Sequence, residues 1–497
     1  MKNKVQLVTY VDRLSGGTIR DLQALLAGPL RGVFGGVHLL PFFDPIDGAD
    51  AGFDPSDHTA VDSRLGGWDD IKRLTGDIEV MADVIVNHVS ANSPQFRDFL
   101  ARGLASEYAG MFLTRDTVFK LAASEAQLAK IYRPRPGQPF TTVRLASGEE
   151  RTLWTTFTPQ QIDIDVQHPQ GRAYLARILE VFAANGIRMV RLDAVGYAIK
   201  KAGTSCFMLP ETFSFIDEFA AQARALGIEV LVEIHSYYRK QIEIAGRVDW
   251  VYDFALPPLL LHACAFHTAK HLKEWIRIRP RNALTVLDTH DGIGIIDIGA
   301  DASDREARPG LVPPAELDRL VEIIHERTGG ESRRATGAAA SNLDLYQVNC
   351  TFYDAMGRDD SAYLLARAIQ FFLPGTPQVY YVGLLAGHND MALLARSGVG
   401  RDINRHYYDS AGIAADLQRP VVRSLLELIR LRNEHPAFNG RFELEDTSDE
   451  RLRLRWRAGS DYALLDADLA SGQWRLTASR TGSTAPGGSV EEYVFVQ

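Results

Sequence analysis

The sequence predicts an α/β protein built on a (β/α)8 TIM barrel, with two inserted subdomains and a small C-terminal antiparallel β domain. Two observations lead to this prediction. Eight short apolar runs that end in charged or polar residues recur along the chain, and stretches with helical spacing separate several of them. Beyond about residue 436 the pattern changes to strict alternation of apolar and basic residues. Strands that alternate with helices form a parallel sheet, and eight of them close into a barrel.

Each apolar run is interpreted as one barrel strand. In chain order the runs are VQLVTY (5–10), GVHLLPF (36–42), VMADVIVNH (80–88), MVRLDAV (189–195), VLVEIH (230–235), VYDFA (251–255), LTVLDTHD (284–291) and QVYYVG (378–383). Helices are predicted over 17–28 and 173–186, where apolar residues recur at helical spacing, and Gly186 is expected to end the second one.

Two intervals between these strands are too long for one helix and its loops, and they indicate insertions. They run from His88 to Met189 and from Asp291 to Phe371. The strand RLRLRWR (451–457) marks the small β domain. The predicted division is barrel over 1–88, inserted subdomain B over 89–167, barrel over 168–291, inserted subdomain B′ over 292–356, barrel over 357–435 and C-terminal β domain over 436–497.

The composition is that of an ordinary globular protein, because 46% of the 497 residues are hydrophobic and 24% are charged. The net charge of −9 argues against binding to nucleic acid, since a phosphate backbone requires a clustered excess of Lys and Arg. Any anion that the protein handles must therefore be held by a local group of basic side chains.

A cytoplasmic location without a membrane partner is expected. The three cysteines are scattered and lack C-x-x-C spacing, which is typical of a reducing compartment. The apolar run before Asp12 is too short for the core of a signal peptide. The most apolar segments, such as FALPPLLLHACAF (254–266), are too short or too interrupted to span a bilayer.

Three predicted strands end in carboxylates, namely Asp193, Glu233 and Asp291. In a barrel of this kind the carboxyl ends of the strands form the active site, so these side chains are expected at one mouth. A carboxylate cluster there indicates either metal binding or acid/base and nucleophilic chemistry on a sugar-like substrate. Each carboxylate alone is equally well explained as a strand-end cap, whereas three at matching positions favour a site.

Four of these segments together resemble the α-amylase superfamily, glycoside hydrolase family 13. They are DVIVNH (83–88), RLDAV (191–195), EIH (233–235) and THD (289–291). The resemblance implies that Asp193 is the nucleophile, Glu233 the general acid and Asp291 the carboxylate that stabilises the transition state. It also implies that Arg191 orients Asp193, and we expect the guanidinium to hold the pKa of that carboxyl low.

The same resemblance implies a closed pocket for one glucose. His88 and His290 are expected to donate to the sugar ring, with Phe53, Phe157 and Tyr197 as aromatic walls. Asp50 is expected to form a bidentate pair with Arg401 at the far side of the glucose. For an isolated Phe, packing in the core is the usual explanation.

Longer blocks resemble the sucrose phosphorylase family. They include LPFFDPIDGADAGFDPSDH (40–58), YRPRPGQPFT (132–141), YDFALPPLLLHA (252–263), NLDLYQVN (342–349) and GRDINRHYY (400–408). The resemblance implies transfer of glucose from sucrose to inorganic phosphate with retention, giving α-D-glucose 1-phosphate and D-fructose. Relatives that act on sucrose 6-phosphate, glucosylglycerol or glucosylglycerate remain alternatives, as does a sucrose hydrolase or transglucosidase. A non-catalytic amylase-like scaffold is disfavoured, because all three carboxylates are present.

Phosphate needs positioning and charge compensation more than it needs a base. The loop RPRPG (133–137) offers Arg133 and Arg135, although a rigid surface loop with solvated charges explains it as well. The resemblance assigns Arg135 to the acceptor side, with Asp344, Tyr346 and Gln347 opposite.

Related amylases bind calcium through the Asn that corresponds to Asn87, but no acidic, oxygen-rich loop accompanies it, so neither a metal nor another cofactor is expected. A homodimer is possible.

Overall fold

The computed structural model describes residues 1–48, 50–120, 123–133, 137–301, 307–336, 347–481 and 490–496, with side chains up to residue 479. Within these residues the strands are β1 Gln6–Thr9, β2 Gly36–Leu39, β3 Phe43–Asp44, β4 Asp57–Val61, β5 Glu79–Ile85, β6 His88–Ser90, β7 Phe140–Arg144, β8 Glu150–Trp154, β9 Gln161–Asp163, β10 Met189–Asp193, β11 Glu229–Val232, β12 Trp250–Asp253, β13 Ala283–Thr285, β14 Ile293–Gly294, β15 Gln347–Val348, β16 Thr376–Tyr380, β17 Arg441–Leu444, β18 Arg451–Ala458, β19 Asp461–Asp468, β20 Gln473–Thr481 and β21 Val490–Val496.

The α-helices are α1 Ile19–Ala27, α2 Trp68–Asp77, α3 Pro94–Arg102, α4 Arg115–Val118, α5 Glu125–Ala129, α6 Pro169–Ala184, α7 Pro210–Ala225, α8 Tyr238–Ala245, α9 Leu256–Phe266, α10 Lys270–Ile278, α11 Pro314–Arg327, α12 Glu331–Thr336, α13 Phe352–Ala355, α14 Asp360–Phe372, α15 Tyr381–Leu384, α16 Met391–Ser397, α17 Ser410–Asp416 and α18 Pro420–Glu434. Both predicted helices form, as α1 and α6. Thr18 begins α1 with a capping box, in which its side chain accepts from the amide of Asp21.

Eight parallel strands close into a barrel in the order β1-β16-β13-β12-β11-β10-β5-β2. Every predicted apolar run overlaps one of them, so the predicted barrel is confirmed. Several strands end earlier than their runs do. β13 ends at Thr285, for example, whereas the run continues to Asp291. The run is longer because Val286 and Leu287 stay buried after the strand has ended. An apolar run indicates that residues are buried, and it does not indicate where strand pairing stops.

Two long segments leave the barrel at the carboxyl ends of its strands. The first, between β5 and β10, contains the β6–β9 pair, the β7–β8 hairpin and the helices α3 to α6. The second, between β13 and β16, contains the β14–β15 pair and the helices α11 to α14. Both segments therefore lie on the side of the barrel where the predicted site is expected.

The C-terminal domain is a five-stranded antiparallel sheet in the order β17-β18-β19-β20-β21, as predicted in kind. In β18 the apolar residues Leu452, Leu454 and Trp456 are buried and the intervening arginines are not. This sheet packs on the barrel through Trp456, whose Nε1 donates to the carbonyl of Phe372 at 2.6 Å. No helix in the described ranges is long and apolar enough to cross a membrane.

Candidate active site

A cavity of about 470 Å³ opens at the carboxyl ends of the barrel strands. Sites for small molecules usually measure about 300–1,000 Å³. Its lining brings together eleven residues predicted from the sequence, namely Asp50, Phe53, His88, Phe157, Asp193, Tyr197, Glu233, His290, Asp291, Gln347 and Arg401. The predicted carboxylates therefore share one cavity of a size suited to a small ligand.

Arg191 lies just behind this lining and joins its carboxylates. It is in phase with Met189, which packs inside the barrel, so Arg191 and Asp193 also face inward from β10. Register places Arg191 opposite Asp83 on β5. Its Nη1 lies 2.5 Å from Asp83 Oδ1 and 3.2 Å from Asp193 Oδ1, and its Nη2 forms an ion pair with Glu233. One buried guanidinium thus contacts three carboxylates.

Burial raises the pKa of both Asp193 and Glu233 above that of an ordinary carboxyl. Arg191 lowers the pKa of each, but desolvation and the repulsion between the carboxylates outweigh it. The expectation that Arg191 holds the pKa of Asp193 low is therefore wrong, because desolvation and the neighbouring carboxylates raise that pKa more than Arg191 lowers it. Two close carboxyl groups around one cation retain a common proton and titrate as a pair.

Asp291 shows the opposite shift. Burial raises its pKa, but Arg401, whose Nη1 lies 2.6 Å from Asp291 Oδ1, outweighs burial and, with nearby histidines, holds the pKa well below its usual value. A carboxylate that stays ionised thus lies beside a pair that keeps a proton. Carboxyl groups whose pKa values are driven apart in this way suit separate roles in acid/base chemistry.

Asp50 does not form the bidentate pair that we expected. Arg401 Nη1 lies 3.7 Å from Asp50 Oδ2, and Arg405 Nη1 lies 3.6 Å from Asp50 Oδ1. Both distances exceed that of a direct hydrogen bond. The guanidinium of Arg401 lies instead against Asp291, the more deeply buried of the two carboxylates. Asp50 therefore forms long ion pairs with two cations, Arg401 and Arg405.

Aromatic rings and neutral histidines form the walls of the cavity. Phe53 stacks on His290 with ring centroids 4.7 Å apart, and Phe157 contacts both His88 and Tyr197 edge to face. His88 Nε2 lies 2.9 Å from the carbonyl oxygen of Phe53. Burial lowers the pKa of His88, and it lowers the pKa of His290 to about 3. Both imidazoles are thus neutral near pH 7 and suited to hydrogen bonds with an uncharged ligand.

The acceptor side of the predicted site is described in part. Gln347 lines the cavity, and its Oε1 accepts from Arg401 Nη2 at 3.3 Å. Arg135, Asp344 and Tyr346 lie outside the described residues. Arg334 on α12 also lines the cavity and was not predicted. The signal that could have revealed it is an arginine two residues before the small-residue patch TGAAAS (336–341).

Sequence reasoning also missed the residues that support the site from behind. Asp83 lies 3.2 Å from His38 as well as against Arg191. Burial raises its pKa, but His38 and Arg191 bring that pKa down to about 2. Arg405 is buried and its Nε donates to the carbonyl of His290 at 3.0 Å. The sequence signal for Asp83 was its position on a buried strand next to that of Arg191.

Lys200 lies where a calcium site would use Asn87. Its Nζ lies 2.7 Å from Asn87 Oδ1 and 2.7 Å from Asp163 Oδ2, and it also donates to the carbonyl of Tyr197. The side chain of Lys200 is 1% exposed. A permanent cation of the chain therefore already neutralises Asp163 and uses the oxygens that would otherwise attract a metal ion.

A second possible metal site lies inside the cavity. Donor atoms of Glu233, His235 and Asp291 fall within 4.8 Å of one another. However, Nδ1 of His235 lies 2.7 Å from Asp297 Oδ2, and Glu233 and Asp291 are already paired with Arg191 and Arg401. Two guanidinium groups beside these donors disfavour another cation there.

Comparison with known proteins gives consistent matches. Residues 32–242 match the family model of the alpha amylase catalytic domain. The chain is 60% identical to a sucrose phosphorylase of Agrobacterium vitis (96% of this chain, 98% of that protein) and 56% identical to one of Bifidobacterium adolescentis (94% and 92%). The crystal structure of sucrose 6F-phosphate phosphorylase from Thermoanaerobacter thermosaccharolyticum is similar with a TM-score of 0.90 at 38% identity, and the match covers 100% of this chain and 99% of that one. These similarities extend over the barrel, both insertions and the C-terminal sheet.

Proposed function

The chain belongs to the sucrose phosphorylase family of the α-amylase superfamily, and from this we propose that it transfers the glucosyl group of sucrose to inorganic phosphate. The products are α-D-glucose 1-phosphate and D-fructose, and the anomeric configuration is retained. The observation that carries the proposal is the contact of one buried guanidinium, that of Arg191, with both Asp193 and Glu233. A shared guanidinium keeps the two carboxyl groups close, as a double displacement requires.

In the first displacement, a carboxylate oxygen of Asp193 attacks C1 of the glucosyl unit while the bond from C1 to the fructosyl oxygen breaks. Glu233 gives its proton to that oxygen, so fructose leaves as a neutral alcohol. The product on the enzyme is a β-glucosyl ester of Asp193. The single proton held by the Asp193–Glu233 pair is therefore placed on Glu233 when substrate is bound, and the negative charge on Asp193.

In the second displacement, an oxygen of phosphate attacks C1 and the ester bond to Asp193 breaks. Glu233 accepts the proton of a monoprotonated phosphate oxygen, which restores the starting state. Two inversions at C1 give net retention. Asp291 stays ionised throughout and stabilises positive charge that develops on the sugar ring, since Arg401 holds its pKa low.

Phosphate has to approach a protein of net charge −9. Arg334 lines the cavity and is exposed, so it provides positive charge at the mouth. We assign Arg334 to the attraction of phosphate, together with the predicted Arg135. Phosphate arrives already ionised and needs charge compensation and orientation, whereas water needs a base to become a nucleophile.

Product analysis tests this function. We expect the full chain with sucrose and phosphate to release fructose and glucose 1-phosphate in equal amounts, and the phosphate ester to be the α-anomer by NMR. Without phosphate, slow release of free glucose is expected. Equal rates of free-glucose release with and without phosphate would identify a hydrolase, and a β-phosphate would rule out double displacement.

Related α-glucosides are the second candidates, because family relatives accept them. Parallel assays with sucrose 6-phosphate, glucosylglycerol and glucosylglycerate separate these activities from phosphorolysis of sucrose. A kcat/KM for sucrose at least about tenfold above that of each alternative is expected, a difference that one well-placed hydrogen bond can provide.

Three further predictions accompany this function. The division into barrel segments, subdomains B and B′ and a C-terminal domain is proposed with the boundaries given above, and limited proteolysis tests it. A homodimer is proposed, and sedimentation equilibrium measures it. A cytoplasmic location stays a prediction that cell fractionation can check.

A further inference from the structure

Three metal-ligating side chains meet on the outer side of the barrel, apart from the cavity. His262 lies on α9, His271 on α10 and Glu316 on α11. One donor atom from each falls within 4.8 Å of the other two. None of the three lines the cavity of the proposed active site.

The donor atoms have the spacing that one metal ion requires. Glu316 Oε2 lies 2.7 Å from His262 Nε2 and 3.6 Å from His271 Nε2. Ligands about 2.0–2.1 Å from a tetrahedral Zn²⁺ lie roughly 3.3 Å apart. To reach this spacing the first distance lengthens by about 0.6 Å and the second shortens by about 0.3 Å. The Glu316 side chain is 38% exposed and can make such a shift.

The imidazole rings are already oriented by their neighbours. His262 stacks on Phe266 with centroids 4.4 Å apart, and the two histidine rings meet edge to face at 5.2 Å. Nδ1 of His271 lies 3.4 Å from Glu274 Oε2, so its Nε2 faces Glu316. A carboxylate on the second nitrogen of an imidazole is the usual outer partner of a metal-binding histidine.

We propose that His262, His271 and Glu316 form a site for a divalent transition metal ion, with Zn²⁺ as the reference ligand. Two imidazole nitrogens and one carboxylate suit Zn²⁺, Co²⁺ or Ni²⁺, whereas Ca²⁺ and Mg²⁺ prefer oxygen ligands alone. Glu316 lies partly in solvent, so water completes the coordination on that side. In the absence of metal, the His262–Glu316 contact of 2.7 Å is an ordinary hydrogen bond.

Binding at this site joins two parts of the fold that are distant in sequence. Helices α9 and α10 follow barrel strand β12, whereas α11 belongs to the segment between β13 and β16. The latter segment continues into α12, which carries the cavity-lining Arg334. A bound ion stabilises the folded state in proportion to the logarithm of its free concentration.

Titration of the EDTA-treated full chain with Zn²⁺ in a calorimeter tests the proposal. One ion per chain is expected, with a dissociation constant on the order of micromolar or tighter. Glu316→Gln and His271→Ala should each weaken binding more than about tenfold. Thermal melting should show the same pattern, with Zn²⁺ raising the Tm of the wild type more than that of either variant at the same concentration.

The matched control is Asp318→Asn, which removes an exposed negative charge from the same helix two residues away. It should bind Zn²⁺ as the wild type does. Asp291→Asn tests the competing cluster in the cavity and should also leave this binding unchanged. Co²⁺ should give visible absorption bands typical of four or five ligands in the wild type and lose them in Glu316→Gln. Absence of binding, or equal affinity in wild type, Glu316→Gln and His271→Ala, would overturn the proposal.

Discussion

Arg401 and the buried Asp291 form an ion pair in which Nη1 lies 2.6 Å from Oδ1. The pair is built from chain segments more than one hundred residues apart, at the end of the barrel and in the loop after β13. It keeps Asp291 ionised despite its burial, because the cation offsets desolvation. Arg191 contacts Asp193 and Glu233, but desolvation and repulsion between the carboxylates outweigh it there, so this pair keeps a proton while Asp291 does not.

Replacement of Arg401 by Gln is expected to lower kcat/KM for sucrose by about 10²–10³-fold, the usual effect of removing one charge that stabilises a transition state. The pKa of Asp291 should rise, since desolvation then acts without the compensating cation. Asp291 has to be ionised, so activity on the acidic side of the pH profile should be lost at a higher pH than in the wild type. Kinetics measured between about pH 4 and pH 8, a range that covers ordinary carboxyl and imidazole titration, detect this shift.

Arg396→Gln is the matched control for this change. Arg396 is an exposed arginine on α16, five residues before Arg401, and it does not line the cavity. Its pH profile should coincide with that of the wild type. An unshifted acidic limb in Arg401→Gln would contradict the role assigned to the ion pair.

The alkaline side of the pH profile should depend on the leaving group. Burial raises the pKa of Glu233, so its acid form persists to a higher pH than that of an ordinary carboxyl. Sucrose cleavage needs this acid form, so its rate should fall as the pH rises through the upper pKa of the Asp193–Glu233 pair. Fluoride departs without a proton. With α-D-glucosyl fluoride as donor this alkaline limb should therefore move upward or vanish, and identical limbs for the two donors would contradict the assignment of Glu233 as the acid.

The barrel could be predicted from the sequence because its strands are buried on both faces. Such strands produce continuous apolar runs, and each of the eight runs overlaps one barrel strand. The ends of the strands were harder to predict. Residues such as Val286 and Leu287 remain buried after β13 has ended, so the run overshoots the strand.

Residues of the site could be predicted from the sequence only where they belong to a recognised motif. Asp193, Glu233 and Asp291 follow from quoted motifs, whereas the contact of Arg191 with Asp83 depends on the register of β5 and β10, which one sequence does not give. Arg401 pairs with the expected Asp50 only at 3.7 Å, and its closer contact, with Asp291, was not predicted. Which carboxylate lies closer to Arg401, Asp50 or Asp291, depends on how deeply each is buried in the cavity. Burial of a loop residue leaves no periodic pattern in the sequence.

Asp193→Gly should lose both phosphorolysis and hydrolysis, because both pass through the same ester. Azide with α-D-glucosyl fluoride should then give β-glucosyl azide, since a single displacement inverts C1. Glu233→Ala retains the nucleophile, so azide should give the α-product in that variant by two displacements. NMR of the anomeric proton distinguishes the two products, and an α-azide from Asp193→Gly would show that Asp193 is not the nucleophile.

Arg334→Gln is expected to raise the KM for phosphate by about tenfold while changing the KM for sucrose little, since one screened positive charge near an anion is worth on the order of 1–1.5 kcal/mol. Arg333→Gln provides the control. Arg333 is the adjacent arginine on α12, pairs with Glu322 at the surface and does not line the cavity. Steady-state kinetics with varied phosphate should separate the two variants, and equal phosphate KM values would remove Arg334 from the acceptor side.

Lys200→Ala is expected to destabilise the protein by about 3–5 kcal/mol, because it leaves the buried carboxylate of Asp163 without its cation. Lys201→Ala removes the neighbouring lysine, which pairs with Glu211 at the surface, and should change the free energy of unfolding by less than about 0.5 kcal/mol. The oxygens that contact Lys200 Nζ come from Asn87, Asp163 and Tyr197, and oxygen ligands are those that calcium prefers. Ca²⁺ at about millimolar concentration, the order of affinity of a weak calcium site, should therefore raise the Tm of Lys200→Ala. It should leave the Tm of the wild type and of Lys201→Ala unchanged. If Ca²⁺ shifted all three proteins equally, the ion would act elsewhere, and the ammonium of Lys200 would not be occupying a cation site.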